Sequence, residues 1–178
     1  MTEDVIEVNN AMKAGGNSTF YVHIEIERGS EWHEIPNIVL NSLYSCDLRP
    51  ITTLELNVSQ DALDASDRHM AKFFSSLSSV ATIHTDSSTM EVLIQLHWHE
   101  DLHGEILFPS LESIVFNTDA DLICSTIMHF LLQRRDAGVP ITGFDLHNCT
   151  SPNQDRLLFL EGIDGLDVNW NEEIRNSM

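Results

Sequence analysis

Apolar residues return along this chain in one short figure: apolar, two residues, apolar, one residue, apolar. Six segments carry it. They are Tyr21, Ile24 and Ile26; Ile51, Leu54 and Leu56; Val80, Ile83 and the β-branched Thr85; Leu111, Ile114 and Phe116; Ile141, Phe144 and Leu146; and Ile163, Leu166 and Val168. The middle positions, 24, 54, 83, 114, 144 and 166, are spaced by 30, 29, 31, 30 and 22 residues. The alternation at the end of each segment is a strand signal. Between segments the period changes to that of a helix. Over 121–133, Leu122, Ile123, Thr126, Ile127, Phe130 and Leu131 recur at steps of three and four. Asp119 and Asp121 precede this helix and Arg134 and Arg135 close it, each sign matching the helix dipole. Gly138 and Pro140 then stop it. Further helices are predicted over 31–43, 61–77 and 90–97, and over 151–160 with Ser151 as N-cap and Pro152 in the first turn. Each helix returns the chain to the start of the next strand. The fold expected is therefore α/β, a right-handed βα solenoid with about six parallel strands on its concave face and helices on its convex face.

The strand figure resembles the leucine-rich repeat, whose core reads L-x-x-L-x-L-x-x-N/C. Two segments match through the last position, ending at Cys149 and Asn171; the other four have Gly29, Ser59, Ser88 and Asp119 there, so the repeats are degenerate. Residues 108–149 add a finer likeness. A proline-preceded strand (Pro109), a helix ending in a basic pair (Arg134, Arg135), a G-x-P step (Gly138 to Pro140) and a strand from Phe144 to Cys149 are similar to the C-terminal repeats of fungal F-box proteins. That resemblance spans about 45–172. It implies a leucine-rich-repeat-like fold and the substrate-binding half of a ubiquitin-ligase receptor. The F-box itself, with its L-P-x-E-type opening, is not found before Phe20. The adaptor of a Skp–cullin ligase is thus an expected partner only if an F-box lies upstream. The alternatives are a stand-alone repeat scaffold with no ligase link and, ranked last, a metal-binding or hydrolytic enzyme. Residues 1–19 are read as a polar, poorly ordered leader, and 20–178 as one irregular repeat domain, a fragment of a longer solenoid whose apolar end would be exposed near Phe20, Tyr21 and Trp32.

Residues between the apolar positions should point out of the concave face. The candidate partner-binding residues among them are His23, Glu25, Glu27, Glu55, Asn57, His84, Asp86, Asn117, Asp145, His147, Asp167 and Asn169, and no position on this face is Lys or Arg. At a strand spacing of ~4.8 Å, Glu25 would stand beside Glu55, and Asp145 beside Asp167. Such like-charge neighbours suit either a merely solvated acidic face or a surface for a partner bearing a basic segment.

Charge extends this beyond the face. The 178 residues hold 28 Asp and Glu against 9 Lys and Arg, a net charge of −19. That balance repels phosphate backbones and anionic lipid, so neither nucleic acid nor membrane is an expected partner. The 42% hydrophobic content suits a packed core rather than an acidic tail. No apolar run is long enough to span a bilayer, and the acidic N-terminus is unlike a signal peptide. Cys46, Cys124 and Cys149 are odd in number and dispersed, which suits reduced thiols in the cytoplasm or nucleus.

Candidate chemistry is sparse. His97, His99 and His103 cluster, and the last two have the i, i+4 spacing of a helical metal pair, but no H-E-x-x-H or cysteine-pair pattern accompanies them. Cys149 falls at an inward packing position rather than at that of a nucleophile. There is no G-x-S-x-G elbow and no glycine-rich phosphate loop. The expectation is a non-enzymatic protein-binding module with no cofactor, no metal and no catalytic residue.

Overall fold

The computed structural model describes residues 6–12, 18–24, 48–58, 73–98, 106–117, 124–149 and 152–172. Strands β1 (Ile6–Met12), β2 (Ser18–Ile24), β3 (Ile51–Val58), β4 (Thr82–Thr85), β5 (Ser113–Phe116), β6 (Gly143–Leu146) and β7 (Asp167–Trp170) form one sheet in chain order. From β3 to β7 the five strands are parallel. β2 also runs parallel to β3, with a register shift at Ser18/Thr19, and β1 pairs antiparallel with β2. The four predicted segments from Ile51 to Leu146 contain or overlap β3–β6, and the final one, 163–168, reaches β7 only at its last two residues. Of the first, only the part up to Ile24 lies in a described strand. β1 falls inside the segment expected as a poorly ordered leader, and it pairs with β2 along its whole length.

Helices fill the crossovers between parallel strands. A helical turn occupies 73–76. Helix α1 (Ser87–His97) begins three residues earlier than expected because Asp86 caps it, its carboxylate accepting the Thr89 N–H at 2.7 Å. Helix α2 (Cys124–Asp136) runs three residues past the predicted end, and Gly138 in the left-handed region (φ +80°) turns the chain away. The last crossover is a 3₁₀ helix, Pro152–Gly162. The helix predicted over 31–43, the first part of that over 61–77, and Ser151 lie outside the described residues. Among those residues no helix is long and apolar enough to cross a membrane.

One side of the sheet is dry. Leu54, Ile83, Ile114 and Phe144 form a row across four strands, each at most 1% exposed, and Leu56, Thr85, Phe116 and Leu146 form the next. They meet Met90, Leu93, Ile94, Ile127, Phe130 and Leu131 from α1 and α2 in one cluster. Parallel strands joined by helices bury their inward residues in this way. Trp98 ties the helical layer together on its outer surface: its indole N–H donates to Gln133 Oε1 at 2.7 Å, and its ring lies 5.4 Å from that of His129.

Candidate partner-binding face

Strand alternation sends the intervening residues of β3–β7 to the side opposite α1 and α2. Two registered rows result. One runs Thr53, Thr82, Ser113, Gly143, Asp167; the other runs Glu55, His84, Val115, Asp145, Asn169. Asp167 and Asn169 are exposed, and the other eight are half-buried. Asn57 and Asn117 lie just beyond. Asn117 donates to Glu55 Oε1 at 3.5 Å, spanning β4. Gly143 makes room within the first row: a Cβ there would meet Ser113 Oγ at 3.0 Å. None of these positions is basic.

The neighbours across this face differ from those that the apolar spacing implied. Asp145 stands beside Asn169, and Asp167 beside Gly143, so the expected Asp145–Asp167 stack is corrected. Strand β7 is set two residues further along than the Ile163–Leu166–Val168 figure implied. Asp145 accepts from Asn169 Nδ2 at 3.1 Å and from the His147 N–H at 2.8 Å, so its charge is solvated by donors rather than opposed by a carboxylate. Glu55 is registered with Tyr21 and Asn57 with His23, which corrects the expected Glu25–Glu55 pair; Glu25 and Glu27 lie outside the described residues. Two further residues leave the face. Asp86 is committed to capping α1, and His147 lies in the turn after β6, exposed. What the structure brings together is therefore Glu55, Asn57, His84, Asn117, Asp145, Asp167 and Asn169.

A second polar group lies on the helical side, and spacing alone missed it. Arg134, read as a C-terminal helix charge, is fully buried. Its Nη1 donates to the Leu107 carbonyl at 2.7 Å, and its Nη2 to those of Phe108 and Leu111 at 3.0 and 3.4 Å. Residues 107–111 form the turn entering β5. Within it Phe108 takes a left-handed φ of +48°, a conformation costly for a residue with a Cβ. The guanidinium holds this turn from inside and covers the Phe130 ring at 5.7 Å. Burial lowers its pKa to about 10. His97 meets the same ring edge-on at 5.2 Å, with Nδ1 buried and unpartnered. Burial, and then the charge of Arg134, lower the His97 pKa to about 4. Arg135, the next residue, is exposed and pairs with Asp136 at 3.4 Å. The sole advance signal for Arg134 was its step from Phe130 and Ile127, at i, i+4 and i, i+7 on the apolar stripe.

The remaining candidates offer little chemistry. His99 and His103 lie outside the described residues, among which no group of three or more His, Cys, Asp or Glu could hold a metal ion. Cys149 is completely buried. An open cleft of about 400 Å³ between Pro109 and Pro140 has Glu112 as its single ionisable lining residue, which provides no acid–base pair. Comparison with known proteins finds no family model, no curated protein and no solved structure that matches the chain.

Proposed function

We propose that this chain is a non-enzymatic protein-recognition module, a leucine-rich-repeat-like βα solenoid that receives the basic segment of a partner protein on the open side of its sheet. The observation that carries this reading is the registered row of Glu55, His84, Val115, Asp145 and Asn169, four polar side chains and one valine across five strands, with no Lys or Arg among them. Side chains held on neighbouring strands are spaced for an extended ligand and lose little freedom on binding it. By its resemblance to fungal F-box repeats, the module would select the substrates of a ubiquitin ligase in the cytoplasm or nucleus. That part of the proposal also requires an F-box joined to this segment.

The test uses a defined lysine- and arginine-rich peptide titrated into the intact chain, with backbone amide shifts as the readout. Perturbed amides should cluster in β3–β6, and affinity should fall as salt rises. Replacing Glu55→Ser together with Asp145→Ser should weaken binding roughly tenfold or more. Equal affinity in that double variant would sink the proposal.

A further inference from the structure

The core ends differently at β7 than it does in the middle of the sheet. Val168 occupies the register position of Phe144, Ile114, Ile83 and Leu54, yet it is only half-buried where each of those is at most 1% exposed. Among the described residues, all four hydrophobics that pack on the core while remaining partly exposed, Phe159, Ile163, Leu166 and Val168, belong to this end. Leu158 next to them is 43% exposed. Among the described residues the backbone of β7 also has no strand partner on its outer side. The Asp167 N–H donates to the Thr142 carbonyl, so in a parallel ladder Asp167 and Asn169 face β6, and the N–H and C=O groups of Val168 and Trp170 point away from it. No described strand lies on that side. An apolar flank beside unpaired strand groups is a template for another strand.

Charge identifies the occupant. The ionisable residues from 157 to 172 are Glu161, Asp164, Asp167 and Glu172, all exposed and all acidic. A second copy of a chain with net charge −19 would bring like charge to like. We infer that the β7 edge is a docking site, distinct from the Glu55–Asp145 track of the open face, for an extended segment of a partner protein that alternates apolar and basic residues and adds as a further strand beside β7. Its apolar side chains continue the row of Val168 and Trp170 over the half-buried flank. Its lysines or arginines emerge on the opposite side, that of Asp167. Main-chain pairing gives affinity, and alternation gives selectivity.

The experiment titrates the whole chain with a peptide about eight residues long that alternates lysine and valine. A peptide of the same composition with its lysines and valines in two blocks is the control. Binding should slow hydrogen exchange at the Val168 and Trp170 amides, and the block peptide should bind far more weakly. Val168→Pro removes an N–H that faces away from β6, so the sheet stays intact while the added strand loses a bond and binding is lost. Asp164→Asn with Asp167→Asn should weaken the peptide roughly tenfold, without dependence on how Val168→Pro folds. Glu55→Ser alone, on β3 and remote from β7, should leave this binding unchanged, which separates it from the Glu55–Asp145 track. The inference is overturned if the Val168 and Trp170 amides are already protected without peptide, if the block peptide binds equally well, or if the shifts map to β3–β5.

Discussion

The middle of the sheet and its two ends obey different rules. From Leu54 through Ile83, Ile114 and Phe144 the register advances by 29, 31 and 30 residues, and every core position is sealed. The step into β7, from Phe144 to Val168, is 24 residues, and the step out of β2, from Phe20 to Leu54, is 34. Regular spacing accompanies full burial in the middle, where each layer is covered on both sides by the next. At β7, among the described residues, a strand lies on one side only, and both spacing and burial relax. The shorter step is bridged by the 3₁₀ helix, which gains about 2.0 Å per residue against about 1.5 Å in α1 and α2.

The largest test of this contrast is a pair of truncations. Phe144→Ala should cost about 3–5 kcal/mol, because a sealed site cannot collapse around the void. Val168→Ala, at the same register position one strand later, should cost about 1 kcal/mol. Denaturant midpoints measured in parallel decide it, and equal losses would erase the distinction between middle and end. Next comes Arg134→Ala, expected to cost about 3 kcal/mol by leaving the Leu107 and Phe108 carbonyls buried without a donor. Arg135→Ala, one residue on, should change stability by less than about 0.5 kcal/mol.

A pH titration probes the same region with a smaller effect. His97 is held to about 4 in the folded chain against 6.5 ordinarily. Between these values the unfolded chain binds a proton that the folded chain refuses, so stability falls as pH drops from about 6.5 to about 4 and this contribution is flat below. His97→Leu should flatten that part of the curve, read as melting temperature against pH. The smallest effect tests the register on the open face. Asp145→Ser removes the acceptor for Asn169 and the His147 N–H and should cost about 1 kcal/mol, whereas Asp167→Ser, registered with Gly143, should cost close to nothing.

These particulars show what could be read from the sequence. The five segments beginning at Ile51, Val80, Leu111, Ile141 and Ile163 marked strands because alternation next to helical period is a local signal. Face assignments at β7 survived a two-residue error in register because side chains alternate with period two, so an even slip leaves every residue on its side and changes only its neighbours. Asp167 and Asn169 were therefore placed on the correct face and beside the wrong residues. Asp86 was misread because one residue served two patterns: the strand beat carried it onto the face, while Asp86-Ser87-Ser88-Thr89 is a helix start. β1 was passed over because Asn9 and Asn10 interrupt its alternation, although Gly15 and Gly16 between it and β2 are a hairpin composition. The burial of Arg134 had no local cue strong enough to compete with the helix dipole, since the carbonyls it serves lie 23 to 27 residues away.

Strand order in space repeats strand order in the chain, from β1 to β7 without a crossing. For chain assembly this means that each of the parallel strands β3 to β7 docks beside the one made just before it. Every closure between β3 and β6 spans about 30 residues, with an entropic cost of about 3 kcal/mol that does not grow as the sheet widens. A polypeptide emerging from the ribosome can add each of these strands to a finished edge as it appears.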